Sequence, residues 1–421
     1  MGGDGSRRTG TYSERNTVIN TRTRAALAAT VVVTAGLALT GCSTGGGGSS
    51  DANSLTLWDS FTQYDASSPY GKLISGCETS TGITIDRTQN PDNETKFLQA
   101  ASSKTTPNLI VLDNPAIARF ADTGLLVAND ESGLDTSKVL PNVLAAGQLD
   151  GKTYGSSIGA NTLALFYDKA KLAAAGVQPP TDWASLQDAA AKTTQGDVKG
   201  LGFSAIGTEE GTFQFLPFFW GAGADLSDIS SPAAVRALTL WTDMVKDGQA
   251  SSANVNANQQ DIRDQFLAGK LAMMVNGTWQ LSALDQAGID YGVVPLPAED
   301  GGAAPSPLGG EFVEVVVSDK AKQDAAAKFA QCMIDPANLA DWTAGQSYIS
   351  PYADAAAQQA STDPELVPWV DAVSVAQGRT ADLGIAYPDT SKALYQAIQE
   401  ALTGSKTPQA ALDDAAASLK K

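Results

Sequence analysis

The chain has 421 residues, 46 of them acidic against 28 basic, a net charge of −18, and no histidine. That charge excludes an electrostatically driven nucleic-acid binder. The lack of imidazole removes histidine metal sites, Ser-His-Asp and Cys-His catalysis, and imidazole acid–base chemistry.

In chain order, Arg15, Arg22 and Arg24 precede an apolar run from Ala25 to Leu39, closed by Leu39-Thr40-Gly41-Cys42. Basic residues, a short apolar stretch and small residues at a cleavage point form the pattern of a bacterial export signal. A cysteine directly after the small residues marks a lipoprotein signal, because its thiol is acylated and cleavage leaves it first in the mature chain. Fifteen apolar residues fall short of the ~20 that span hydrocarbon, which disfavours a transmembrane helix. The expected signal is 1–41. Its removal takes five arginines and two acids, leaving 380 residues with 23 basic and 44 acidic side chains. Such a body is long enough for two lobes and is repelled by anionic lipid, so attachment rests on acyl chains at Cys42. Residues 42–53, rich in Gly and Ser, read as a flexible leash.

The body then alternates short apolar runs with helical patterns. Leu55-Thr56-Leu57-Trp58, Ile83-Thr84-Ile85 and Asn108-Leu109-Ile110-Val111-Leu112 read as strands, with a helix through Leu73 to Cys77 between the first two. Strands alternating with helices predict a parallel sheet covered on both faces. Beyond about residue 165 helix signals dominate. Ser231-Pro232 supplies an N-cap and a first-turn proline, with Gly248 as the stop, and Leu394 to Leu402 ends at Gly404. These suggest a second, more helical lobe.

Aromatic and polar residues form the candidate site. A pyranose needs flat aromatic plates for its C–H faces, with carboxylates and amides around its hydroxyl rim. Trp58 and Trp220 follow apolar runs, and Trp279 closes Met273-Met274-Val275-Asn276-Gly277-Thr278-Trp279. Asp113-Asn114 ends the third strand, where open α/β sheets place ligands. Asn161, Glu209-Glu210, Gln214 and Glu311 add further polar candidates. Singly, each tryptophan fits a core and each acid a solvated surface, so the combination carries the reading. Leu308-Gly309-Gly310-Glu311 joins a Pro-rich turn region to the strand Phe312–Val317 and suits either a hinge or a tight turn. Cys77 and Cys332 fit either a disulfide or two separate buried thiols. No P-loop, G-x-G-x-x-G, C-x-x-C or EF-hand loop is present, and no cofactor or metal is expected.

Five passages in order resemble the sugar-binding lipoproteins of ABC importers, the maltose-binding-protein-like group of extracellular solute-binding proteins. They are Lys152-Thr153-Tyr154-Gly155, Asn161 to Lys169, Pro179 to Leu186, Phe266 to Trp279, and Tyr291 to Pro297, within a likeness covering 54–415. The resemblance implies an α/β, two-lobe periplasmic-binding-protein-like fold (type II), each lobe a mixed sheet flanked by helices, hinged by two or three crossing segments. It implies an N-lobe of 54–157 and 308–345 and a C-lobe of 160–305 and 350–421. That partition puts Cys77 and Cys332 on helices of one lobe and so favours a disulfide between them. By position it implies ligand contacts from Asp113, Asn114, Asn161, Phe213, Gln214, Trp220, Trp279, Gly310, Glu311 and Tyr348, with Trp58 and Glu210 added from the residues themselves. Arg379, in a variable loop, is expected as either a sugar contact or a surface ion pair. Glu311 departs from the family, whose members often place tryptophan or asparagine after the glycine pair. A carboxylate there suits two sugar hydroxyls, a pair with Arg379, or a cationic ligand such as an amino sugar.

The expected mechanism is hinge closure on a carbohydrate held by both lobes, with the closed form read by ABC permease subunits and ATP used elsewhere. A monomer anchored to the cell membrane through Cys42 is expected. Each buried sugar–carboxylate hydrogen bond would contribute on the order of 1.5–3 kcal/mol. The rival readings are a glycoside hydrolase with Glu210 and Glu311 as paired acids, and a binder of a polyol, peptide or osmolyte.

Overall fold

A computed structural model of the protein describes residues 52–420. The expected signal at 1–41, the lipidation site Cys42 and most of the leash lie outside the described residues. Two sheets organise the rest. The first takes β1 (Ser54–Asp59), β2 (Thr84–Gln89), β3 (Leu109–Asp113), β4 (Ser156–Ser157) and β9 (Glu311–Val315), in the order β2-β1-β3-β9-β4. The second takes β5 (Leu163–Asp168), β6 (Lys199–Gly202), β7 (Leu271–Gly277) and β8 (Tyr291–Val294), in the order β8-β5-β7-β6.

The first three strands pair in parallel through helical crossovers, as the alternation predicts. The sheet is nevertheless mixed. β9 runs antiparallel to β3, with Glu311 opposite Asp113, because it arrives from the second lobe and not from a crossover helix. In the second sheet every residue of β7 is buried, and the side chains of this sheet divide between two cores. Phe166 and Met274 join a cluster with the first sheet, whereas Leu165, Met273 and Val275 join the cluster around Trp241 and Phe203. A strand covered on both faces reads as an unbroken apolar run, as this one does.

Helix ends follow their cap chemistry. α1 (Pro69–Thr81) starts at Ser68, whose side chain accepts from Gly71 N, and stops at Gly82 with φ 71°. α2 (Asn114–Asp122) is capped by Asp113 and has a first-turn proline. α3 (Glu209–Gly221) carries two glutamates in its first turn, where the helix dipole favours them. α4 (Gln259–Leu267) has a capping box from Asn258 and Asp261. α5 (Lys320–Met333) and α6 (Tyr387–Leu402) complete the set needed below. Cys77 on α1 and Cys332 on α5 are joined by a disulfide, with Cα atoms 5.7 Å apart.

Three segments pass between the sheets side by side. Ala160 exchanges two backbone hydrogen bonds of 2.8 Å with Ile349, and Asn161 exchanges bonds of 3.1 and 2.9 Å with Gly309. A fourth strip joins them where Leu308 N donates to Gln377 O at 2.7 Å.

Glu314 stands out in the first sheet: it is 0% exposed and neither carboxylate oxygen has a hydrogen-bond partner. Burial pushes its pKa well above the usual 4.5. A carboxyl held protonated by the fold contributes most below about 4.5, and that contribution is lost as pH rises toward the raised value. Glu314→Met is therefore expected to stabilise the protein at pH 7.5 by about 1–3 kcal/mol and to flatten its stability–pH curve between pH 5 and 8. Urea unfolding at both pH values checks this.

Candidate functional site

A cavity of about 930 Å³ lies between the two sheets, over the crossing segments. The loop after β1 supplies Ser60, Phe61, Gln63 and Tyr64 to its first wall. That loop is shaped by Arg87, which donates from Nη1 to Tyr64 O at 2.7 Å and from Nη2 to Phe61 O at 3.2 Å. Arg87 is itself held by the fully buried Asp59, Nε to Oδ2 at 2.6 Å. Gln89 Nε2 adds bonds of 2.7 and 2.9 Å to the same two carbonyls.

The opposite wall comes from α3, α4 and the turn after β7. Trp279 lines it, with Phe213 at 6.3 Å between ring centroids. The indole lies so close to Gly277 that a Cβ there would meet its ring carbons at 2.1 and 2.2 Å. Glycine is thus required by the approach of the indole, since φ at this residue is an ordinary −121°. Glu210 accepts from Ser204 Oγ at 2.9 Å and from the amide of Gln259, at the start of α4, at 2.6 Å. Arg263 reaches Gln280 Oε1 from Nη1 at 3.3 Å and is otherwise engaged by Asp264.

At the base, Arg379 ties three segments together. Only 2% of its side chain is exposed; Nη2 donates to Asp113 Oδ1 at 2.8 Å and Nη1 to Glu209 Oε1 at 2.8 Å. Asp113 ends β3 of the first sheet and Glu209 opens α3, so the guanidinium ties that strand end to that helix. Its Cζ sits 4.8 Å from the centroid of Phe213, and Nη2 also reaches Asn114 Oδ1 at 3.3 Å. Glu209 further accepts from Tyr387 Oη at 2.6 Å and from Ser391 Oγ. Burial pushes the Glu209 and Glu210 carboxyls above their usual range; Arg379 opposes this at Glu209, and the Ser204 and Gln259 hydrogen bonds do so at Glu210.

Glu311 begins β9 beside Asp113. Its Oε2 is shut off from solvent with no hydrogen-bond partner, and burial, then the neighbouring Asp113 charge, pushes its pKa up to about 8. Tyr348 and Tyr64 lie close enough to feel its charge. Beneath, a Cβ on Gly309 would stand 2.1 Å from Asn161 Oδ1, and one on Gly310, at φ 112°, would stand 2.1 Å from Gly159 O. The glycine pair exists for close packing of the crossing strands.

Of the residues anticipated from sequence, Asp113, Asn161, Glu210, Phe213, Trp279, Gly310, Glu311, Tyr348 and Arg379 line this one cavity. Four do not. Trp58 is half-buried within β1, on the face opposite Leu57 and Asp59. Asn114 is fully buried and donates to Leu308 O and Gly310 O at 3.3 and 3.2 Å, so it braces the crossing segment. Gln214 is turned one step off the cavity face of α3, and its Oε1 accepts from Ser204 N at 3.3 Å. Trp220 shares the helical face of Phe213 but sits seven residues on, about 10 Å along the axis. Arg379 is neither a surface ion pair nor the partner of Glu311. The sequence reading missed Phe61, Gln63 and Tyr64, whose loop carries no periodicity, and Gln259 and Arg263, whose signal was only an amphipathic helix with a capping box.

The model of the bacterial extracellular solute-binding protein family matches residues 72–368, and the chain belongs to that family. A binding protein of Brucella abortus (strain 2308) is 27% identical over 220 residues, 49% of this chain and 54% of its own. The maltotriose-binding protein of Pyrococcus abyssi (strain GE5 / Orsay) is 28% identical over 257 residues, 58% of this chain and 54% of its own. The chain thus spans about half the length of these curated relatives. The GacH receptor of Streptomyces glaucescens GLA.O, solved unliganded and with acarbose, has a TM-score of 0.75 at 27% identity, covering 87% of this chain and 97% of that one. The fold is the two-lobe architecture of these solute-binding proteins, and among the described residues no helix is long and apolar enough to cross a membrane.

Proposed function

We propose that this protein is the solute-binding component of an ABC importer, capturing a sugar or oligosaccharide between its lobes and presenting it to a membrane permease. The observation that carries this reading is the cavity itself. One wall offers an indole, the other Phe61 and Tyr64, and acids and amides ring the space between. That is the pattern a pyranose requires. Sugar binding by the maltotriose-binding relative and acarbose binding by GacH support it. The proposal includes the lobe partition, supported by the membership of strands in the two sheets, and a monomer tethered by lipid at Cys42, supported by the signal pattern of the sequence. It includes binding without chemistry, since Glu210 is engaged by Ser204 and Gln259, not held free for proton transfer.

Ligand contact with both lobes favours the closed arrangement, and binding raises the melting temperature by mass action. A thermal-shift screen of residues 42–421 against neutral sugars and their amino-deoxy counterparts tests the reading. Trp279→Ala is expected to abolish the ligand-induced shift while leaving the melting of the unliganded protein within a few degrees. Retained affinity in that variant removes Trp279 from the site, and no shift with any carbohydrate overturns the proposal.

A further inference from the structure

The cavity is lined by four carboxylates, Asp113, Glu209, Glu210 and Glu311, against two guanidinium groups, Arg263 and Arg379. Both cations are engaged through their Nη atoms, while Arg379 Nε, though buried, has no partner. Arg379 divides its Nη atoms between Asp113 and Glu209, and Arg263 is engaged by Asp264 and Gln280. Asp113, Glu209 and Glu210 each accept hydrogen bonds of 2.9 Å or less from the protein. Glu311 is the exception among these four: its Oε2 is buried and without a donor.

An ammonium group placed against that carboxyl favours its ionised form and makes a charge-assisted hydrogen bond with it, and the excess of carboxylates over guanidinium groups in the lining favours the same ligand charge. The setting of Glu311 suits a cation and not another anion. Asp113 lies opposite it in the strand register, and Tyr64 and Tyr348 lie close by, Tyr348 within hydrogen-bond reach. We propose that the cavity selects a carbohydrate bearing an ammonium group, an amino sugar, whose nitrogen donates to the Glu311 carboxylate. This deepens, and rests on, the sugar-binding reading above.

The test uses the neutral sugar that gives the largest thermal shift and its mono-amino-deoxy derivatives, one hydroxyl replaced at a time, titrated calorimetrically into residues 42–421. In the wild type, one derivative is expected to bind at least roughly tenfold more tightly than its parent sugar, the size of one charge-assisted hydrogen bond. Glu311→Gln, a near-isosteric change, is expected to erase that advantage, so that the amine and its parent sugar bind the variant within about threefold of each other. The wild-type comparison decides by itself if the variant does not fold. Equal binding of every amine and its parent, or an advantage that persists in Glu311→Gln, overturns the inference and leaves sugar binding standing. Absence of binding by all sugars, amino or neutral, overturns both.

Discussion

Replacing Arg379 by alanine is expected to lower the melting temperature by on the order of 5 °C and to weaken ligand binding at least roughly tenfold. The guanidinium is 2% exposed and bridges Asp113, at the end of β3, and Glu209, at the start of α3. Its removal leaves Glu209 with only the Tyr387 and Ser391 hydroxyls, in a setting where burial already disfavours its charge. Breaking one partner out of such a buried set typically costs about 3–5 kcal/mol, because the remaining charge is stranded. Binding suffers as well, since Asp113 and Glu209 then repel each other across the base of the cavity. The mechanism makes a second demand. Glu209→Gln in the Arg379→Ala background should recover part of the lost stability, although Glu209→Gln alone destabilises. A melting temperature unchanged in Arg379→Ala, or strictly additive losses in the double variant, would show that the bridge contributes nothing.

This triad also shows where the sequence was readable and where it was not. Strand and helix positions followed from local rules: the run Leu109–Leu112 became β3, and Ser231-Pro232 capped the helix Pro232–Lys246, which Gly248 terminates at φ 74°. Asp113 was found because strand ends in α/β sheets face ligands. Arg379 was visible only as a residue in a loop, since its partners lie 266 and 170 residues away and no local pattern links them. The three tryptophans illustrate the converse. Trp58, Trp220 and Trp279 look alike in sequence, yet only Trp279 has a glycine two residues earlier over which its indole can lie. Gly277 was the discriminating signal. The antiparallel entry of β9 escaped the alternation argument because that argument assumes each strand follows its own crossover helix, whereas β9 follows the crossing from the other lobe.

Loss of the Cys77–Cys332 disulfide is expected to be the other large effect, and it separates stability from binding. The bond spans 255 residues of sequence and encloses all four strands of the second sheet. Chain entropy for a loop of that size gives about 5 kcal/mol, and measured losses for native disulfides commonly run about 2–5 kcal/mol. Cys77 is 1% exposed among apolar neighbours, so alanine is the better replacement there, avoiding a buried hydroxyl. Cys332 lies near Ser80 Oγ and the amide of Asn338, so serine suits it. The double variant Cys77→Ala/Cys332→Ser should therefore melt roughly 3–6 °C lower. Its ligand affinity, measured well below the melting transition, should match the wild type within about twofold. Neither cysteine lines the cavity, and the helices that carry them are held in place independently by Phe329, Ala330 and Leu73 in the core against the first sheet. An affinity loss comparable to that of Arg379→Ala would mean that the bond sets the lobe geometry and does not merely limit the unfolded chain. A melting temperature equal to that of the reduced wild type would instead assign the whole effect to the covalent link.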